Sequence, residues 1–269
     1  MTDPFRIDGP ALVSFSGGRT SGYMLRRILD ARGGTLPPDV HVVFANTGKE
    51  RPETLDFVHE CSVQWSVPIV WVEYVRRHEY EVVTYETASR NGEPFERAIN
   101  DRKYLPNPVT RFCTQSLKVD LFAAFMSRYE AWDNVIGLRA DEPRRVAKRR
   151  AANDDPELKL AWHSVMPLAE AGVTETDVLT WWRSQPFQLA LTVGWSNCDL
   201  CMMKGFALRV RLARERPDLL GWWERMENER GATFRNDTPS YTRLRVFSER
   251  QGALPLDGEA NNIPCTCTD

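Results

Sequence analysis

The chain has 269 residues, 42% hydrophobic and 27% charged, with a formal net charge of −2. That is the profile of a soluble globular chain with a full core, and the balance excludes a general polyanion-binding role. No apolar run approaches the roughly 18 residues of a membrane helix, and the first residues lack the apolar core of a signal peptide, so a cytoplasmic protein with no membrane partner is expected.

Residues 11–15 form a short apolar run followed by a Ser/Gly cluster, and residues 21–29 place apolar side chains at helical spacing. This reads as strand, glycine loop, helix. Residues 41–45 predict a second strand that ends at Asn46-Thr47-Gly48, and Pro52 suits the first turn of a helix running to about residue 65. Residues 68–74 predict a third strand. Such alternation argues for a parallel sheet with helices on both faces. Residues 91–108 carry Gly92, Pro94, Pro106 and Pro108 and predict a partly irregular excursion over the sheet edge. A helix is predicted over 116–129 and a strand over 133–138, followed by a charged stretch to residue 155. The basic run 144–150 within it reads as a solvated loop rather than a nucleic-acid patch. Thr174, with Asp177 three residues on, predicts a capping box for a helix through Trp182. Two more helices are predicted over 204–215 and 217–229, and the chain turns polar and loop-like from Gly231.

The loop Ser14-Phe15-Ser16-Gly17-Gly18-Arg19-Thr20-Ser21 carries the first chemical signal. Glycines allow positive φ and a close ligand approach, and the following helix N-terminus adds partial positive charge for an anion. The hydroxyls of Ser14, Ser16, Thr20 and Ser21 and the Arg19 guanidinium add phosphate contacts. An ordinary strand-to-helix turn is the competing reading. The Walker pattern Gly-x-x-x-x-Gly-Lys is absent.

The loop resembles the Ser-Gly-Gly-x-x-Ser signature of the PP-loop ATP pyrophosphatases and their sulfonucleotide reductase relatives, with Arg19 where many members have Lys. Three further segments resemble the phosphoadenosine phosphosulfate reductase family. Residues 43–54 resemble its second motif, with Asn46 and Thr47 at a strand's carboxyl end. Residues 110–118 resemble its Arg-x-Cys-x-x-x-x-Lys element, which implies anion-binding roles for Arg111 and Lys118. Residues 136–145 resemble its Gly-x-Arg-x-x-Glu segment, with Gly137, Arg139, Asp141 and Glu142 at the nucleotide and Arg residues holding a phosphate-type group. The resemblance spans roughly residues 10–205. It implies a Rossmann-like adenine nucleotide alpha hydrolase fold over residues 1–205, with residues 206–269 a helical and cysteine-bearing extension packed on the same domain.

The chain has six cysteines, expected to be reduced in a cytoplasmic protein, so metal ligation or redox chemistry is the question to ask of them. Cys61 reads as a core residue inside a helix. Cys113, the Cys198-x-x-Cys201 pair and the tail residues Cys265 and Cys267 suit zinc or an iron–sulfur cluster, and spacing alone does not choose between them. The resemblance implies a [4Fe–4S] cluster, because adenylylsulfate reductases hold one with a tandem cysteine pair at the position of Cys113-Thr114 and a later C-x-x-C. Thr114 breaks that pair, so Cys265 or Cys267 is the expected fourth ligand. The reductases' Glu-Cys-Gly-x-His tail is absent. Cys265 and Cys267 are therefore also the candidate nucleophiles, with Arg139 beside them.

The expected function is thus a sulfonucleotide-reductase-like enzyme in which a thiolate attacks the sulfur of an adenosine phosphosulfate. The alternatives are an ATP-dependent sulfurtransferase with Mg2+ at Asp141 and Glu142, and a non-catalytic nucleotide and redox sensor. Expected partners are the nucleotide and a thiol reductant or sulfur-donor protein. Nucleic acid enters only as an acceptor under the sulfurtransferase reading, and a homo-oligomer is left open.

Overall fold

The structure is a computed structural model and describes residues 3–158, 160–192 and 194–250. Six strands form one sheet in the order β4-β3-β2-β1-β5-β6. They are β1 (Ala11–Ser14), β2 (Val40–Asn46), β3 (Ile69–Arg76), β4 (Glu79–Val83), β5 (Trp132–Val135) and β6 (Trp162–Val165). All neighbours are parallel except β3 and β4. The expected α/β sheet is therefore present, with one antiparallel edge that the sequence reading missed. Arg76 pairs with Glu79 across a tight turn in which His78 takes φ 60°. The β4 residues Glu79, Tyr80 and Glu81 are charged or half-exposed, as an edge strand requires, and so carry no apolar run to read.

The helices are α1 (Arg19–Ala31), α2 (Pro52–Gln64), α3 (Glu93–Arg102), α4 (Phe112–Thr114), α5 (Asp120–Phe125), α6 (Pro143–Asn153), α7 (Pro167–Glu170), α8 (Glu175–Arg183), α9 (Phe206–Glu215), α10 (Leu220–Arg230) and α11 (Tyr241–Arg250). Alternation along β2 sorts them into two cores, because successive strand residues face opposite sides. Val40, Val42 and Phe44 join α1, α2 and α8 on one face, where Cys61 is fully buried as expected. Val43 and Ala45 join α3, α5, α9, α10 and α11 on the other. The C-terminal helices therefore share a core with the sheet: Trp223 and Tyr241 belong to the same cluster as Leu12 and Val72.

Several expectations are corrected. The segment 91–108 contains α3, whose Phe95, Ala98 and Ile99 are buried at helical spacing behind Gly92 and Pro94. The basic run 144–150 is not a loop but most of α6, which buries Val146 alone and so offers no periodic apolar signal. In place of one helix over 116–129, the chain runs from α4 through a π-helical turn at Gln115–Val119 into α5, which ends at Phe125. The strand expected over 133–138 ends at Val135. Helix α11 lies where a loop was expected, and buries only Tyr241 and Leu244. The Thr174–Asp177 capping box forms as read, with the Thr174 amide donating to Asp177 Oδ2 at 2.8 Å. Among the described residues no helix is long and apolar enough to cross a membrane.

Helix α1 sets the position of the glycine loop, and α8 holds α1. Trp182 Nε1 donates to the Arg19 carbonyl at 2.7 Å, and the Trp182 ring meets Phe57 edge-on at 5.0 Å. This approach is open because residue 22 is glycine: a Cβ there would stand 2.7 Å from Trp182 Cζ2 and 3.1 Å from Phe57 Cζ. Gly22→Ala should therefore destabilise the protein by about 1–3 kcal/mol through overpacking, despite a helix-propensity gain of about 1 kcal/mol. Urea denaturation measures the sign, and a stabilised variant would contradict this packing.

Candidate nucleotide site and thiol cavity

The first cavity, of about 180 Å³, opens beyond the carboxyl ends of β1 and β5 at the N-terminus of α1. Ser14, Ser16, Gly18, Arg19, Thr20 and Ser21 form one wall. Lys118, Gly137, Arg139, Glu142 and Arg145 form the opposite wall, and Ser196, Asn197 and Cys198 close the side. Parallel α/β sheets bind ligands in this position.

The two loop glycines do different work. Gly17 has φ 75°, and a Cβ on it would lie 2.6 Å from Thr54 Cγ2 and 3.2 Å from the Phe44 ring, so the fold itself requires glycine there. Gly18 has φ −102°, and its Cβ would meet nothing closer than 3.6 Å, which leaves its bare backbone to the cavity. Ser21 Oγ donates to the Gly18 carbonyl at 2.9 Å and accepts from the Gly18 amide at 3.2 Å, so that hydroxyl shapes the loop from within. Arg19 departs from the expected anion contact. Its Nη2 donates to the carbonyls of Leu189 and Leu191, each at 2.6 Å, and burial pulls its pKa down. The guanidinium thus ties the 189–191 segment to the loop, although its side chain still borders the cavity.

Arg139 reaches the loop from the other wall, where its Nη1 donates to Thr20 Oγ1 at 3.3 Å and its Nε donates to Asp141 Oδ1 at 2.9 Å. The Glu175 amide donates to Asp141 Oδ2 at 3.0 Å. Burial pushes the Asp141 carboxyl up, but the Glu175 amide and Arg139 together hold it below the usual range. Glu142 accepts from the Arg139 amide at 3.1 Å and pairs with Arg145. Both carboxylates therefore hold arginines in place.

Three expected contacts fall elsewhere. Asn46 is buried, where its Nδ2 donates to Glu73 Oε1 at 2.6 Å and to the Ser89 carbonyl at 2.8 Å, so it braces the end of β2. Thr47 turns into the second cavity. Arg111 stands at the N-terminus of α4 and lines neither cavity, so it does not converge with Arg139 on one space. Asn197 was missed in the sequence. Its Nδ2 donates to the Ser16 carbonyl at 2.5 Å, and its place two residues after Trp195 and just before the C-x-x-C pair was the available signal.

The second cavity, of about 30 Å³, adjoins the first. Cys113, Cys198 and Cys201 line it together with Thr47, Glu50 and Lys118, and Phe95, Met202 and Trp223 supply its apolar walls. Three cysteines far apart in the chain thus border one cavity. Pairing of residues 49–51 with 197–199 achieves this: the Arg51 amide donates to the Asn197 carbonyl and the Asp199 amide to the Lys49 carbonyl, each at 2.8 Å, around a Glu50–Cys198 bridge. The hydrogen bond with Cys201 pulls the Cys198 thiol down, but burial and the carboxylates of Asp199 and Glu50 push it up further, and the net shift is upward.

The cluster implied by the resemblance does not fit these residues as they stand. Among the described residues no three His, Cys, Asp or Glu side chains are gathered to hold a metal ion. Cys265 and Cys267 lie outside the described residues.

Residues 10–189 match the model of the phosphoadenosine phosphosulfate reductase domain, more than half of the chain. The chain is also 31% identical over 209 residues to the uncharacterized nin region protein ORF290 of Escherichia phage lambda. That alignment covers 72% of this chain and 66% of the phage protein, so the chain spans a little under two thirds of its relative.

The contrast between the glycines gives a test. Gly18→Val should keep the wild-type melting temperature and lose adenine-nucleotide binding in calorimetry, because its side chain enters the cavity. Gly17→Val should instead lower stability, by about 2 kcal/mol or more. A Gly18→Val protein with full nucleotide affinity would remove the phosphate assignment from this loop.

Proposed function

The chain belongs to the phosphoadenosine phosphosulfate reductase family, and from that premise we propose that it holds an adenine sulfonucleotide in the first cavity and reduces its sulfo group with thiols. One observation carries the reading: Lys118 and Cys198 line both cavities, so the anion site and the thiols share a wall. The Gly18 backbone, the hydroxyls of Ser14, Ser16 and Thr20, and the N-terminus of α1 would take phosphate oxygens. Arg139, with Arg145 and Lys118, would neutralise the charge that develops as the nucleotide leaves.

A thiolate attacks the sulfo sulfur. A sulfur–sulfur bond forms, the bond from that sulfur to the bridging oxygen breaks, and the nucleotide departs with the electron pair. A second thiolate then attacks the first cysteine's sulfur, which releases sulfite and leaves a disulfide. The two thiols lose the two electrons that the substrate sulfur gains, and an external thiol reductant restores them. Cys198 and Cys201 supply one such pair. Cys265 and Cys267 are the further candidates from sequence, with Arg139 as the group beside the reacting anion. The arginine and amide partners of Asp141 and Glu142 favour this anion clamp over the magnesium site of an adenylating sulfurtransferase.

Anaerobic protein incubated with a dithiol and, separately, adenylyl sulfate, its 3′-phosphorylated form and ATP tests the proposal. Sulfite and the nucleotide released from one sulfonucleotide, with ATP intact, is the expected result. AMP and pyrophosphate from ATP would instead identify a sulfurtransferase, and binding without turnover of any of the three would identify a sensor. Arg139→Lys should lower turnover by about tenfold or more, since a lone ammonium lacks the planar fork.

A further inference from the structure

Helix α6 carries more positive charge than the nucleotide cavity uses. Five of its eleven residues are Arg or Lys and none is Asp or Glu, in a chain whose net charge is −2. Val146 alone is buried, in a cluster with Ile136, Leu138 and Met166. With about 3.6 residues per turn, Arg144 and Lys148 lie one turn apart on the face opposite Val146, and Arg145 and Arg149 form a second such pair beside them. Like charges at this spacing repel, and Arg144 and Arg145 also stand in the first turn, where the helix's own partial charge is positive. The pattern therefore works against the helix that carries it. Glu142 answers Arg145, but Arg144 and Lys148 make no ion pair or side-chain hydrogen bond with any described residue. Exposed arginines on other helices do find carboxylates, as Arg26 finds Asp30 and Arg225 finds Glu96.

The position of α6 gives that charge a direction. The helix starts at the anion cavity, where Glu142 and Arg145 form part of the wall. It ends beside β6, where the Asn153 amide exchanges hydrogen bonds with the Ser164 backbone at 2.8 and 2.9 Å. The acidic residues Asp154, Asp155 and Glu157 follow its far end, so no carboxylate interrupts the strip. We propose that this strip binds the sugar–phosphate backbone of a nucleic acid, laid along α6 toward the mouth of the nucleotide cavity. Cations repeated one turn apart over a helix of about 16 Å suit a linear run of anions better than one compact ligand. Guanidinium forks match phosphate oxygens. Beside its cations the strip presents only Ala151 and Ala152, so an anionic lipid surface finds no large apolar side chain to take in. The net charge of −2 gives the rest of the surface no general pull on a polyanion, which leaves this face to do it.

This inference goes beyond the sulfonucleotide reading and does not need it. Fluorescence anisotropy on the full chain, with a labelled single strand and a labelled duplex of equal length, measures affinity across a salt series. The wild type should bind at least one of them, with an affinity that falls steeply as salt rises. Arg144→Ala combined with Lys148→Ala should weaken that binding by about tenfold and reduce the slope of log affinity against log salt by about one to two. The melting temperature should stay at the wild-type value, because neither side chain holds another described residue. Arg150→Ala removes one charge from the same helix but from the flank beside Val146, where Arg150 lines a groove with Ala147 and Ala169. It should change affinity by less than about twofold, since it leaves the phosphate contacts in place. No binding of either nucleic acid by the wild type at about 50 mM salt would overturn the proposal. So would a double variant that binds as the wild type does, or an equal loss in Arg150→Ala, which marks bulk charge rather than a face. Polyglutamate that competes as well as unlabelled nucleic acid, or anionic vesicles bound in preference to it, would overturn it in favour of an acidic protein or a membrane surface. Sulfite release is assayed separately. A protein that binds nucleic acid and releases no sulfite loses the reductase reading and keeps this one.

Discussion

The ion pair between Lys49 and Asp199 is the contact on which the site depends. It spans 2.7 Å, with side chains 6% and 4% exposed. Lys49 stands in the turn after β2, and Asp199 lies between the two cysteines of the C-x-x-C pair. Trp223 Nε1 donates to the same carboxylate at 2.8 Å, and Trp222 places its ring 5.0 Å from the ammonium. Two buried charges brought together in this way gain little over an apolar pair, but loss of one partner strands the other at a cost of about 3–5 kcal/mol. Its value is therefore positional. It locks a late segment onto an early turn and fixes the C-x-x-C pair, of which Cys198 borders both cavities.

The C-terminal helices support this lock. Tyr241 OH donates to the Leu200 carbonyl at 2.5 Å, and the Tyr241 ring stacks on Trp223 at 5.0 Å. Glu227 accepts from the amides of Phe234 and Tyr241 at 3.1 and 2.8 Å, which secures the connection from α10 to α11. Trp223 and Tyr241 belong to the same core cluster as Leu12, Val72 and Cys201, so these helices pack both on the sheet and behind the C-x-x-C pair.

Legibility in the sequence followed the density of apolar periodicity. The strands β1, β2 and β3 and the helices α1, α2, α8, α9 and α10 were readable because each buries a regular face. Helix α6, which buries Val146 alone, and the charged edge strand β4 carried no such face. At the candidate site, motif order pointed to the glycine loop, Lys118, Arg139 and the three cysteines, all of which line one or other of the two cavities. The roles of Arg19, Asn46 and Asn197 were not, because each depends on a backbone carbonyl far away in the chain or in a different element. Arg19, for example, binds carbonyls 170 and 172 residues away. A motif reports residue type and spacing, and hydrogen bonds to such carbonyls leave no trace in either.

The shared wall between the two cavities has a thermodynamic consequence. Cys198 borders both spaces, so its charge and covalent state are part of the environment that any anion meets in the first. Free-energy coupling between two such sites is reciprocal. If a disulfide between Cys198 and Cys201 alters the affinity for an anion by some factor, that anion alters the disulfide's equilibrium with its reductant by the same factor. Occupancy and reduction potential are then two readings of one quantity, and a titration of either measures the other.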